Sequence, residues 1–178
     1  DLASLIYSGL LKHNEAGKLV PDLAKSYEIS SDGLNYTIYL KENIHWHDGQ
    51  PLTADDVLYT IQTAQNADYG SPQRVNWQGV TIQKINDATV MFKLNNKYAQ
   101  FLNNLTLGIL PKHIWSTVQP INFASTDYNL KPIGSGPYVF NKLQKDDLGQ
   151  IRSYQLIANK DFYDDQPYID TIIIKFYD

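Results

Sequence analysis

The chain has 178 residues and no cysteine, which allows one domain with a real core and rules out disulfides, thiolate metal sites and cysteine nucleophiles. A net charge of −4 offers no attraction to a phosphate backbone, so nucleic acid is not expected as a partner. The longest apolar runs, at residues 105–110 and 172–174, are core-sized and too short to span a membrane.

Residues 4–11 read as a short helix ending near Gly9, or as a strand entering a turn. Residues 19–24 carry Pro21 and read as irregular or as a single helical turn. A clear strand follows at 36–40, where Tyr36, Ile38 and Leu40 alternate with Thr37 and Tyr39. Ser30-Ser31-Asp32-Gly33 is a turn that would join it to an upstream strand at 26–29. Asp48-Gly49 marks another turn. Thr53 suits an N-cap and Asp56 sits three residues on, at the capping-box position, opening a predicted helix over 54–66 with Val57, Ile61 and Ala64 on one face. Residues 66–77 read as a long loop or broken helix. A second hairpin is predicted from 80–85 and 89–94 across Asn86-Asp87, then short helices at 97–104 and 111–118, the latter started by Pro111. Residues 119–134 read as loop. Three strands follow at 137–143, 152–158 and 169–176, the first two joined through Asp146-Asp147-Leu148-Gly149.

This order of elements predicts an α+β fold: a mixed, largely antiparallel sheet with flanking helices. The last strand is apolar on both faces, as in a strand inside a sheet, yet the sequence ends two residues later. With a first residue that is Asp and not Met, this leads us to expect a piece of a longer protein.

The catalytic constellations fail on spacing or partners. His45 and His47 lie two apart, and with Asp48 they resemble the start of a metallo-hydrolase His-x-His pattern. The acid comes one residue early and no further His follows, so a structural turn is preferred and no metal is assigned. A metal-dependent hydrolase using His45, His47 and Asp48 stands as the alternative function. Asp55 and Asp56 are adjacent in a first helical turn and serve its dipole rather than acid–base chemistry. Asp146-Asp147 and Asp164-Asp165 sit in turn-like, solvated contexts. Gly134-Ser135-Gly136 fits neither a phosphate-binding loop nor a nucleophile elbow, since residue 133 is Ile, and reads as a tight backbone turn. With 13 tyrosines the chain also admits a carbohydrate-binding module, although Tyr equally favours strands.

Several segments, in order, resemble family 5 of the bacterial extracellular solute-binding proteins. They are Leu23-Ala24-Lys25-Ser26-Tyr27, Ser31-Asp32-Gly33, Tyr36 to Lys41, and Ile44 through His47-Asp48-Gly49 to Asp55-Asp56-Val57. Further on come Leu110-Pro111-Lys112-His113, Pro132 to Tyr138, and Asn159, Tyr163 and Ile169-Asp170. Tyr27 stands where the family usually has Trp, and Lys41 where it has Arg. The resemblance implies part of lobe I of a type II periplasmic-binding-protein-like clamshell. Residues 10–130 would be an accessory subdomain, and 1–9 with 131–178 a partial main sheet; lobe II would be absent. It further implies a monomeric, extracytoplasmic protein, lipid-anchored in a Gram-positive cell, with no cofactor and no enzymatic activity. Its partners would be a peptide or similar small solute and a membrane ABC permease. Because family ligands touch the loop after the first long helix, Tyr69, Arg74 and Trp77 are the candidate ligand contacts. Arg74 would meet a carboxylate, and Trp77 would supply a stacking face.

Overall fold

The computed structural model describes residues 2–177; Asp1 and Asp178, the ends of the two outer pieces predicted above, lie outside the described residues. A short helix α1 (Leu2–Ile6) leads into a two-stranded antiparallel ribbon of β1 (Leu11–His13) and β2 (Leu19–Pro21). Sequence missed this ribbon. Pro21 ends β2 opposite Leu11, on a two-stranded edge where its missing N–H is tolerated.

β3 (Ala24–Ile29) and β4 (Asn35–Leu40) form the first predicted hairpin. Its turn closes through Gly33 N–H to Ser30 O at 2.8 Å, with Gly33 at φ +69°, a conformation that favours glycine. α2 (Ala54–Gln65) begins with the full capping box: the Thr53 side chain accepts from the Asp55 amide, and Asp56 Oδ2 accepts from the Thr53 amide at 2.9 Å. After it, residues 67–69 and 72–77 form two 3-10 turns, so the broken-helix reading applies.

β5 (Val80–Asn86) and β6 (Thr89–Leu94) make the second hairpin, and β4 pairs with β6 to give the sheet order β3-β4-β6-β5. α2 packs on this sheet. Val57 and Ile61 join Ile38, Val90, Phe92 and Phe101 in the larger hydrophobic cluster. α3 (Phe101–Asn104) is shorter than predicted. Its last two residues are Asn, and the Asn103 side chain competes for the local backbone by donating to Gln100 O, while Asn104 donates away to Asn76 O. α4 (Lys112–Trp115) follows Pro111.

The final sheet is β7 (Tyr138–Lys145), β8 (Ile151–Ala158) and β9 (Thr171–Lys175), in that order and antiparallel. With α1 it holds a second, smaller cluster of Ile6, Tyr138, Tyr154 and Leu156. β9 departs from the sequence expectation of burial on both faces. Alternation turns Ile172 and Ile174 into the cluster, whereas Ile173 is 55% exposed, and among the described residues β9 pairs only with β8.

The two clusters are joined by close backbone contact. The Gly136 amide donates to Ile6 O at 2.8 Å, and a Cβ on Gly134 would fall 1.9 Å from that same oxygen. The tight turn read at Gly134-Ser135-Gly136 is therefore the seat of α1.

Candidate ligand groove

The segment after α1, Tyr7-Ser8-Gly9, lies against the segment after α3. Leu11 N–H donates to Leu105 O at 3.0 Å and Ile109 N–H to Ser8 O at 2.9 Å. Side chains are excluded from the crossing. A Cβ on Gly9 would meet Thr106 backbone at 2.8 Å, and one on Gly108 would meet Tyr7 Cβ at 2.9 Å. Three cavities share this crossing as a wall. The largest, about 710 Å³, is lined by Tyr7, Lys12, His13, Asp22 and Asp165 among others. The next, about 280 Å³, shares Ser4, Tyr7 and Thr106 with it. The third, about 370 Å³, shares Leu107, Gly108 and Leu110 with the second and reaches Tyr69, Pro72 and Phe123. The shared linings set the three cavities side by side around the crossing, the first lined by charged residues and the third by aromatic ones.

The charged cavity is held by a network of side chains. Asp22 is buried and accepts from Tyr163 Oη at 2.8 Å. Lys12 Nζ lies 3.5 Å from Asp22 and 2.7 Å from Asp164. Lys41 Nζ lies 3.9 Å from Asp164 and 5.0 Å from the centre of the Tyr163 ring. Burial raises the Asp22 pKa, against the Tyr163 hydrogen bond and the Lys12 charge. The Lys12 hydrogen bond lowers that of Asp164. Burial opposes the Lys12 ammonium, yet its pKa rises because Asp164 and Asp22 outweigh that cost. The Tyr163 phenol is pushed up by burial and then by the Asp22 charge. Asp164, read from sequence as a solvated turn residue, is thus half of an ion pair spanning the chain from residue 12 to residue 164.

At the aromatic cavity Phe123 stands between Tyr69, edge-on at 4.9 Å, and Trp115 at 4.5 Å. Tyr7, shared by the first two cavities, has its pKa raised to about 12, chiefly by burial.

Of the three contacts expected from sequence, only Tyr69 lines these cavities. Arg74 is exposed, and its Nε donates to Gln65 O at 3.0 Å. The reading of Trp77 as a stacking face is corrected: the residue is 1% exposed, stacked on Phe92 at 5.9 Å and edge-on to Phe101 at 6.0 Å, with no free ring surface. Sequence reasoning missed Tyr7, Asp22, Phe123 and Tyr163. Phe123 carried a signal as a large aromatic in a long loop, and Tyr163 through its place in the family pattern; their pairing with distant residues, as of Asp22 with Tyr163 across 141 residues, carried none.

The metal-hydrolase alternative loses its donors. Gly134 N–H donates to His47 Nδ1 at 3.2 Å, which places the ring proton on Nε2, 3.0 Å from Gly136 O. The His47 amide also donates to Gly134 O at 2.8 Å. Asp48 Oδ2 pairs with His113 Nε2 at 2.8 Å, and His45 is exposed. Among the described residues no group of three or more His, Cys, Asp or Glu could hold a metal ion.

Residues 18–178 match the family described as bacterial extracellular solute-binding proteins, family 5 Middle. The chain belongs to this family. It is 35% identical to the oligopeptide-binding protein AppA of Bacillus subtilis, over 98% of this chain and 32% of that one. The solved structure of B. subtilis AppA in complex with a nonapeptide superposes with a TM-score of 0.89 at 32% identity, covering 99% of this chain and 35% of that one. NikZ from Campylobacter jejuni, solved in complex with Ni(L-His), gives a TM-score of 0.88 at 36% identity over 98% and 34%. The chain spans about a third of the length of the relatives it matches. These relatives are solute-binding proteins, and the family 5 fold agrees with the α+β, largely antiparallel architecture described above.

Proposed function

We propose that this chain forms part of the first lobe of an extracytoplasmic solute-binding protein that captures an oligopeptide, or a similar small solute, for a membrane ABC importer. The observation that carries the reading is the match of nearly the whole chain to AppA, solved with a nonapeptide, together with the row of adjoining cavities on this chain's surface. We read residues 10–130 as an accessory subdomain and 1–9 with 131–178 as part of the main sheet. A second lobe would close over these cavities. Its affinity comes from contacts made only in the closed state, which shift the open–closed equilibrium. The protein acts as a monomer without catalysis or cofactor, and in a Gram-positive cell a lipid anchor would hold it at the surface. Tyr69 contacts the solute from its cavity wall. Arg74 is retained as a rim contact, since its exposed guanidinium keeps donors beyond the one given to Gln65.

The test is calorimetry and native mass spectrometry of the full-length protein with a mixed peptide library, alongside nickel–histidine and oligosaccharides. One peptide bound per molecule is expected. Binding of nickel–histidine or a sugar with no peptide retained would overturn the peptide reading and leave the transport role.

A further inference from the structure

We infer that the cavity between Tyr69, Leu107, Leu110 and Phe123 is a specificity pocket for one large apolar or aromatic side chain of the solute. This rests on the peptide reading above and adds a preference to it. At about 370 Å³ it falls in the size range of ligand pockets, and no charged residue lines it. Several of the polar groups around it are already committed, Ser71 Oγ to the Gln73 amide among them. Thr60 Oγ1 donates to Asp56 O at 2.8 Å and accepts from the Leu110 amide at 2.9 Å. Asn129 Nδ2 donates to Phe123 O at 2.8 Å, which holds the loop that carries the ring. A polar side chain entering here would lose water and gain few partners, whereas an apolar one would lose only water.

The walls are also fixed in place. Phe123 is backed by Trp115, and Tyr69 presents its edge to Phe123, so a guest ring meets a preformed aromatic surface. The pocket shares Leu107, Gly108 and Leu110 with the neighbouring cavity, which in turn adjoins the cavity lined by Lys12, His13, Asp22 and Asp165. A peptide lying across these cavities can therefore place a charged terminus at the first and an apolar side chain in the third.

The experiment uses the full-length protein and calorimetry with pentaalanine and its five single-phenylalanine variants. Burying one large apolar side chain predicts that one variant binds about tenfold or more tighter than pentaalanine. Ala124 lines the pocket but is exposed, so Ala124→Glu leaves the fold intact while placing a carboxylate at the site. In Ala124→Glu the phenylalanine preference, taken relative to pentaalanine on the same variant, should fall below about threefold, and the peptide with lysine at that position should gain relative to pentaalanine. Tyr69→Ala should weaken the preference in the same direction. If peptides bind without any phenylalanine preference, or if the preference survives both substitutions, the pocket assignment is wrong. If no peptide binds the unmodified protein, the peptide reading fails first.

Discussion

A ring as enclosed as that of Trp77 acts through cohesion alone. It fills space between Phe92 and Phe101 in the larger core, so Trp77→Ala should cost about 3–5 kcal/mol in urea unfolding. Arg74→Ala removes one exposed hydrogen bond and should stay within about 0.5 kcal/mol. His47 adds a pH dependence. Burial depresses its pKa, opposed by the bond to Gly136 and the Asp48 charge. As pH falls, the unfolded chain takes up the proton first. The stability supplied by neutral His47 is complete above about pH 6.5, and it declines below that until the folded ring also protonates. Unfolding midpoints between about pH 7.5 and 5 should fall less steeply in His47→Gln than in the parent protein, and equal slopes would exclude the role.

At the scale of elements, α2 is held at its first turn from two directions. Asp56 Oδ2 closes the capping box while Oδ1 accepts from the Lys112 amide at 2.8 Å, tying α2 to α4. Thr53→Ala, which removes only the cap, should cost about 1 kcal/mol; Asp56→Ala removes a buried carboxylate that accepts from two amides and should cost more. Thermal unfolding of the two variants checks the order. This helix was fully legible in the sequence, cap and face included, because capping and helical periodicity are local. Both hairpins were legible for the same reason, through Asp32-Gly33 and Asn86-Asp87. The β1–β2 ribbon was not: three-residue strands are too short to show alternation, and Pro21 argues against a strand unless its partner is seen. The pairing of β4 with β6 was equally hidden, since nothing in either hairpin states which strand lies beside the other.

At the scale of the whole molecule, two cores meet where the Gly134–Gly136 turn receives the end of α1. Gly134→Ala would drive a Cβ to 1.9 Å from Ile6 O, backbone against backbone, and should cost about 3 kcal/mol or more. Gly17 is a control: it has φ +71° with nothing within 4 Å, so Gly17→Ala should cost only about 1–2 kcal/mol for the left-handed conformation. Similar losses for the two would deny that this contact joins the cores. Ligand affinity also belongs to this scale. If closure of a second lobe supplies the binding energy, residues 1–178 alone should bind peptide far more weakly than the full-length protein, and calorimetry showing equal affinity would refute the clamshell reading.

By itself, the sequence determined the family, the α+β class, the two hairpins and the capped helix. The class and the elements follow from local periodicity and turn chemistry, and the family from the resemblance of its ordered motifs. Tertiary structure alone decided which side chains line the cavities. Whether an aromatic is wall or core depends on what packs against it, so Tyr69 came to a cavity wall and Trp77 to the interior. Whether an acid is solvated or locked depends on a partner far along the chain, so Asp22 and Tyr163 meet across 141 residues with no local mark of it. The Gly-Ser-Gly turn reads in sequence as a bend. Only the approach of α1 shows why its outer glycines admit no side chain.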